Sequence, residues 1–146
     1  MSAPRFAGAD NFFDMTEIPA IFCDIDGVVS KKFAVPNYDH FGEPNPNMIK
    51  VLETLGRDFT IVFITGRWAM GQAKVEMFID GLLPNIKKRV FCKAHDYPGT
   101  TAEFKLATIT NLEKEGYKFY FGLDDHDAVI GLMHNHGMFV ARVISE

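Results

Sequence analysis

The chain has 146 residues, 47% of them hydrophobic and 23% charged, a size and mixture that fit one compact domain with its own core and exclude a disordered or fibrous protein. A formal net charge of -4 excludes a global attraction to nucleic acid or anionic membrane and leaves only a local basic patch for a phosphate-bearing polymer. The two cysteines, Cys23 and Cys92, each sit in a short apolar run, where a free thiol behaves as a small buried hydrophobe; this reads against a structural disulfide and for a reducing, cytoplasmic setting.

Residues 1–18 read as an N-terminal arm and residues 19–146 as the domain. The arm has Arg5 against Asp10, Asp14 and Glu17, and it lacks an apolar run for a signal peptide or a membrane span. Phe6, Phe12 and Phe13 are the residues that would pin it to the domain. The first strand is predicted at Ala20 to Cys23, because a near-continuous apolar run suits a strand covered on both faces. Ser30 to Pro46, with Lys31, Lys32, Tyr38 and several prolines, reads as a flap.

A helix follows from Asn47 to Leu55, with Met48, Ile49, Leu52 and Leu55 at helical spacing and Pro46 suited to its first turn. Thr60 to Ile64 is the second strand, and Met70 to Leu82 the second helix, closed by Pro84. Arg89 to Cys92 is the third strand. Thr100 with Glu103 three residues on reads as a capping box opening the third helix, which ends near Glu115-Gly116. Lys118 to Leu123 gives a fourth strand, Asp127 to His134 a fourth helix stopped by Gly137, and Met138 to Val143 a fifth strand. Strict alternation of five strands and four helices predicts an α/β, doubly wound, Rossmann-like fold, its five-stranded, mostly parallel sheet carrying helices on both faces.

Ligands of such sheets bind outside the carboxyl ends of the strands. Asp24 and Asp26 fall just past the first strand, Thr65-Gly66-Arg67 past the second and Asp124-Asp125 past the fourth. Lys105, near the start of the third helix, belongs to the same edge, since each crossover helix begins where its strand ended. Four carboxylates gathered there repel one another unless a cation joins them, and hard oxygen ligands suit Mg²⁺, which shares its sites with substrate phosphate. With Mg²⁺ and Lys105 neutralising phosphoryl oxygens, one carboxylate can approach phosphorus in line.

Taken in order, Asp24-Ile25-Asp26-Gly27-Val28-Val29, Thr65-Gly66, Lys105 and Asp124-Asp125 resemble the motifs of the haloacid dehalogenase superfamily of phosphotransferases, from Ala20 onward. The resemblance implies that Asp24 is a nucleophile forming an aspartyl-phosphate, and that Asp26 is the general acid and base and offers its backbone carbonyl to the metal. It implies that Thr65 binds phosphate, Lys105 neutralises nucleophile and phosphate, and Asp124 and Asp125 complete the metal shell. An aspartate at position 26 separates phosphatases and mutases from pumps and dehalogenases. The intervals between motifs hold no inserted cap domain. Within the superfamily, the Thr65-Gly66-Arg67 triplet, the paired aspartates and the short intervals are similar to the phosphatase domain of bacteriophage-type polynucleotide kinase-phosphatases; the kinase's glycine loop followed by lysine is absent from this sequence.

The expected function is therefore a capless, Mg²⁺-dependent phosphomonoesterase acting on a phosphorylated substrate, a nucleic acid 3′-phosphate end or a nucleotide, with a second copy of the chain as one means of covering the open site. The alternatives are a non-catalytic phosphate-recognition module, a phosphatase of another phosphorylated macromolecule, or a receiver-like domain. Several residues carry competing readings. Arg67 is a phosphate clamp or an ion-pair partner, the clamp being favoured. Trp68 stacks on a base or, preferentially, covers the core. Asp125 ligates metal or caps the fourth helix. Lys87, Lys88 and Arg89 read as a solvated strand start, His134-Asn135-His136 as a helix end, and His126 as a residue beside the site.

Overall fold

A computed structural model describes residues 17–33 and 39–144. The expected arm up to Thr16, with its phenylalanines, and Tyr38 with Pro36 of the expected flap, lie outside these residues. The elements run β1 (Ile18–Cys23), α1 (Pro46–Leu55), β2 (Thr60–Trp68), a 3₁₀ turn (Ala69–Gly71), α2 (Gln72–Leu82), β3 (Lys88–Lys93), α3 (Thr101–Lys114), β4 (Tyr117–Asp124), α4 (Asp127–Asn135) and β5 (Val140–Arg142). The sheet order is β3-β2-β1-β4-β5, and all four pairings are parallel. The expected "mostly parallel" sheet is thus wholly parallel among the described residues.

Side-chain parity builds two cores. Along β1, Ile21 and Cys23 face one layer while Ala20 and Phe22 face the other; along β2, Ile61 and Phe63 alternate in the same way with Val62 and Ile64. The first layer takes Leu52 of α1 and Val75 and Ile79 of α2. The second takes Ile109 and Leu112 of α3 and Val129 and Met133 of α4. Phe22 and Phe63 are fully buried, one in each layer, and truncating either to alanine would cost roughly 3–5 kcal/mol.

The helix ends follow their sequence signals. Asn45 caps α1 by accepting from the Met48 amide, with Pro46 in the first turn. Thr100 and Glu103 form the reciprocal capping box of α3. Gly116 and Gly137, at φ 103° and 94°, supply the left-handed residues that follow α3 and α4.

The strand order positions the site. From β1 the chain winds outward through β2 to β3, then α3 carries it back to β4 on the other side of β1. The carboxyl ends of β1 and β4 flank the crevice at this reversal, where doubly wound sheets bind their ligands.

Candidate active site

Asp24 and Asp124 occupy the two banks of that crevice. The Asp24 amide donates to the Leu123 carbonyl at 2.9 Å, tying the end of β1 to β4. Asp24 is 7% exposed and Asp124 fully buried. Lys105, one turn into α3 and 3% exposed, reaches both: its Nζ lies 2.9 Å from Asp24 Oδ1 and 2.9 Å from Asp124 Oδ2. The other Asp124 oxygen accepts from the His126 amide at 2.9 Å. Asp124 is the last residue of β4 and does not lie past it as expected.

Burial is the main cause raising the Asp24 carboxyl, to about 7; Lys105 opposes it and the Asp124 charge adds to it. Burial pulls the Lys105 ammonium down, but the two carboxylates outweigh it and raise it above its ordinary value. One ammonium therefore does not balance the two aspartates it joins.

Asp125 widens the deficit. Ligand oxygens of Asp24, Asp124 and Asp125 all lie within 4.8 Å of one another. Asp125 Oδ2 meets Lys32 Nζ at 3.5 Å, while its Oδ1 is buried with no hydrogen-bond partner among the described residues. The carboxylate presses on the loop after β1: a Cβ on Gly27, which stands at φ +88°, would collide with Asp125 Oδ2. Glycine is required there twice, for its backbone conformation and for the space. Asp125 does not cap α4; the cap is His126, whose Nδ1 accepts from the Ala128 amide, because the Asp125 side chain turns toward Gly27 instead.

Asp26 stands apart from this cluster. Arg67 grips its carboxylate with both prongs, Nε to Oδ2 at 2.8 Å and Nη2 to Oδ1 at 2.9 Å, a bidentate pairing that fixes orientation as well as charge. Nη2 also donates to the His40 carbonyl at 2.9 Å, and the guanidinium lies 4.1 Å over the Phe41 ring, which stacks on Phe78 of α2 at 4.0 Å. Arg67 was expected as a phosphate clamp or an ion-pair partner; it lines the cleft, and its partners here include a carboxylate, a carbonyl and a ring. It is an ion-pair partner 5% exposed, not on the surface.

Thr65, Gly66 and Arg67 lie within β2, which runs on to Trp68 and does not stop at Ile64. The register against β3 shifts between Thr65 and Trp68, an irregularity that re-aims successive side chains. Thr65 and Arg67 turn inward and Trp68 outward, 45% exposed, against the expectation that it covers the core.

These groups share one cleft of about 520 Å³, whose walls include Asp24, Asp26, Thr65, Gly66, Arg67, Lys105 and Asp125. All of the expected site residues except Asp124, which lies beneath the cleft against Lys105, line it.

No protein-family model matches the sequence, and none of the curated proteins does. The fold, however, is shared with solved structures. A chain of the Pnkp1/Rnl/Hen1 RNA repair complex superposes with a TM-score of 0.76 at 17% identity, over 90% of this chain and 44% of its own. A chain of a Pnkp1/Rnl/Hen1 complex gives 0.75 at 17% identity, over 94% and 51%. The present chain thus spans about half the length of the structures it resembles, and the likeness is one of fold.

Sequence reasoning passed over several residues in and around this cleft. Thr100, Thr101, Phe33 and Val129 line it. The two threonines open α3 on the edge that holds Lys105, so the rule that located the lysine also locates them. Phe33 gave no signal beyond its place in the expected flap. That flap is pinned at its described ends: the Lys31 amide donates to the Glu43 carbonyl at 2.8 Å and the Asn45 amide to the Val29 carbonyl at 2.8 Å. His126, read as a residue beside the site, lines the cleft as well; the basic run at the start of β3 and the end of α4 have partners of their own. Lys88 pairs with Asp80 at 2.9 Å, Arg89 with Glu115 at 3.7 Å, and His136 with Glu113 at 3.0 Å. Cys23 and Cys92 are free and buried. Burial raises both thiols, Cys92 to about 11, which makes them inert. Among the described residues no helix is long and apolar enough to cross a membrane.

Proposed function

We propose that the chain is an Mg²⁺-dependent phosphomonoesterase working through an aspartyl-phosphate on Asp24, with a nucleic acid 3′-phosphate end or a nucleotide as substrate. The observation that carries this reading is the carboxylate cluster at the reversal of the sheet, in which Lys105 is shared between Asp24 and Asp124 while a buried oxygen of Asp125 lacks a partner among the described residues. Three carboxylates, a charge deficit and an orphaned oxygen fit a hard divalent cation. Asp24 and Asp125 are the side chains best placed to hold it, with the Asp26 carbonyl; both oxygens of Asp124 already have partners. When bound, Mg²⁺ would supply positive charge to the phosphoryl oxygens and let a carboxylate approach phosphorus.

The side chains account for the rest. Lys105 holds Asp24 Oδ1 and leaves Oδ2 to attack phosphorus, forming the Asp24–phosphorus ester while the bond from phosphorus to the leaving oxygen breaks. Asp26, entering the cycle protonated on one oxygen and held by Arg67 through the other, gives the leaving oxygen its proton; it then regains one from the water that attacks the acyl phosphate, releasing phosphate and restoring both aspartates. Arg67 holds the Asp26 carboxylate facing the cleft. Thr65 and Gly66 line the cleft with Asp24, and a hydroxyl and a backbone amide suit the non-transferred phosphate oxygens. The fold shared with chains of an RNA repair complex supports a nucleic acid end over a sugar phosphate.

The test is phosphate release from p-nitrophenyl phosphate, 3′- and 5′-phosphorylated oligonucleotides, mononucleotides and a phosphopeptide, with Mg²⁺ and with EDTA. The expected outcome is Mg²⁺-dependent release that Asp24→Asn abolishes. Failure to release phosphate from every substrate, or release that Asp24→Asn leaves intact, would sink the proposal in favour of phosphate recognition without turnover.

A further inference from the structure

The cleft does not end at its polar floor. Past Arg67, the bulge in β2 turns the indole of Trp68 out to solvent, and this is the chain's sole tryptophan. A large aromatic left half-exposed on a strand end gives up burial that the fold had available, unlike Phe63 in the same strand, which is fully buried. Its surroundings are aromatic and basic in turn. The His95 ring stands 6.4 Å away, inclined at 53°. Lys93, its partner across the β2–β3 ladder, sends its ammonium to the Thr101 hydroxyl at 3.2 Å, and Thr101 is part of the cleft wall. Gly66 keeps that wall close, since a Cβ there would lie 2.8 Å from Thr101 Cγ2. The indole is thus one residue beyond a cleft-lining arginine, and the lysine paired with it along the ladder reaches a residue of the cleft wall.

Resting on the phosphatase reading, we propose that Trp68, Lys93 and His95 form a platform for the nucleotide next to the one whose phosphate enters the cleft, so that the substrate is a single-stranded polynucleotide and not a free mononucleotide. An exposed aromatic face accepts any base by stacking, and an adjacent lysine meets the phosphodiester that links two nucleotides; the pairing of the two is how single strands are held without sequence preference. The chain's net charge of -4 makes such a local basic and aromatic track the means of binding, since no overall attraction to a polyanion exists. His95 flanks the indole, so a base arriving there meets two rings.

Because Trp68 is the only tryptophan, its fluorescence reports the platform directly. In Asp24→Asn with Mg²⁺, 3′-phosphorylated RNA and DNA oligonucleotides are expected to quench the emission, whereas inorganic phosphate and sugar phosphates leave it unchanged. In the wild type, kcat/KM for a 3′-phosphorylated oligonucleotide should exceed that for the matching 3′-mononucleotide by about 5- to 100-fold. Trp68→Ala should bring that ratio near one, and Trp68→Phe should restore part of it. Equal kcat/KM for both lengths in the wild type, or no quenching by either oligonucleotide, overturns the platform even if phosphate release is intact. Quenching by oligonucleotides from a protein that releases no phosphate supports the platform and removes the phosphatase reading, so the two fail separately.

Discussion

Two of the cations that line the cleft, Lys105 and Arg67, hold their carboxylates in different ways. Lys105 comes from α3 and shares a single ammonium between Asp24 and Asp124; Arg67 comes from β2 and clasps Asp26 alone with two parallel bonds. An ammonium is a compact charge whose bonds re-aim easily, which suits a place where a phosphoryl group must arrive and share the positive charge. A guanidinium fork suits a carboxylate whose direction must not change. The difference assigns the variable electrostatics of the proposed reaction to Lys105 and its fixed geometry to Arg67.

The strongest way to break that comparison is Lys105→Met, which keeps much of the stem's volume and removes the charge. Phosphate release should fall by about 10³-fold, in the range seen when one preorganised charge partner is lost. Folding is checked by circular dichroism with Mg²⁺ present. A fall of less than about tenfold would show that Lys105 only supports the fold.

The same buried pair predicts a pH dependence. The folded Asp24 carboxyl titrates at about 7, against its ordinary 3.8, with burial the main cause. Between those values the folded protein holds a proton that the unfolded chain has lost, so stability falls as pH rises from about 4 to 7 and levels off above. The shift corresponds to an effect on the order of 4 kcal/mol as an upper bound. In EDTA, urea denaturation should show this decline for the wild type and a much flatter profile for Asp24→Asn, with the variant the more stable of the two at pH 8. Mg²⁺ should restore wild-type stability above pH 7, where the carboxylate is free to bind it. A wild-type profile that rises from pH 4 to 7 in EDTA would contradict the charge deficit argued for the cluster.

Arg67→Lys sharpens the other half of the comparison. It keeps the charge and loses the fork, so Asp26 should keep a partner but not its orientation. A fall of about 10- to 30-fold in kcat, with KM within a factor of two or three, is expected. A rise in KM with kcat unchanged would return Arg67 to the phosphate-clamp role read from the sequence.

The pairing of Arg67 with Asp26 marks where the sequence stopped being legible. Strands covered on both faces and helices with one apolar stripe leave a local pattern, and the ends of β1, β3, β4 and α1 lie within two residues of where that pattern put them. The carboxyl-edge rule also needs only order and spacing, which is why Asp24, Thr65, Lys105 and Asp125 all arrive at one cleft. Pairings across the fold leave no such trace. Arg67 meets Asp26 across 41 positions of sequence, and nothing near either residue announces the other. The second strand was expected to stop at Ile64, whereas β2 takes in Thr65-Gly66 with a shift of register and continues to Trp68. That register shift goes with Arg67 facing inward and Trp68 outward, which is why Trp68 does not cover the core as expected. Asp125 as a cap failed similarly, since a side chain's choice between its own helix and Gly27 is a tertiary matter.

The smallest expected effect tests how firmly α3 presents Lys105. Thr100 accepts from the Glu103 amide at 3.1 Å while Glu103 Oε1 accepts from the Thr100 amide at 2.7 Å, and Lys105 follows in the next turn. Thr100→Ala removes one arm of this box and should cost about 1 kcal/mol, a fall in Tm of about 3–4 °C for a domain of this size. If the cap serves only the helix, kcat should be nearly unchanged at temperatures well below Tm, because Lys105 is held by its own two carboxylates. If the cap also fixes the lysine, kcat should drop several-fold at 25 °C, and adding Lys105→Met should then abolish the difference between the wild-type and Thr100→Ala backgrounds. The double-mutant cycle separates the two, and a coupling near zero would confine the positioning of Lys105 to Asp24 and Asp124.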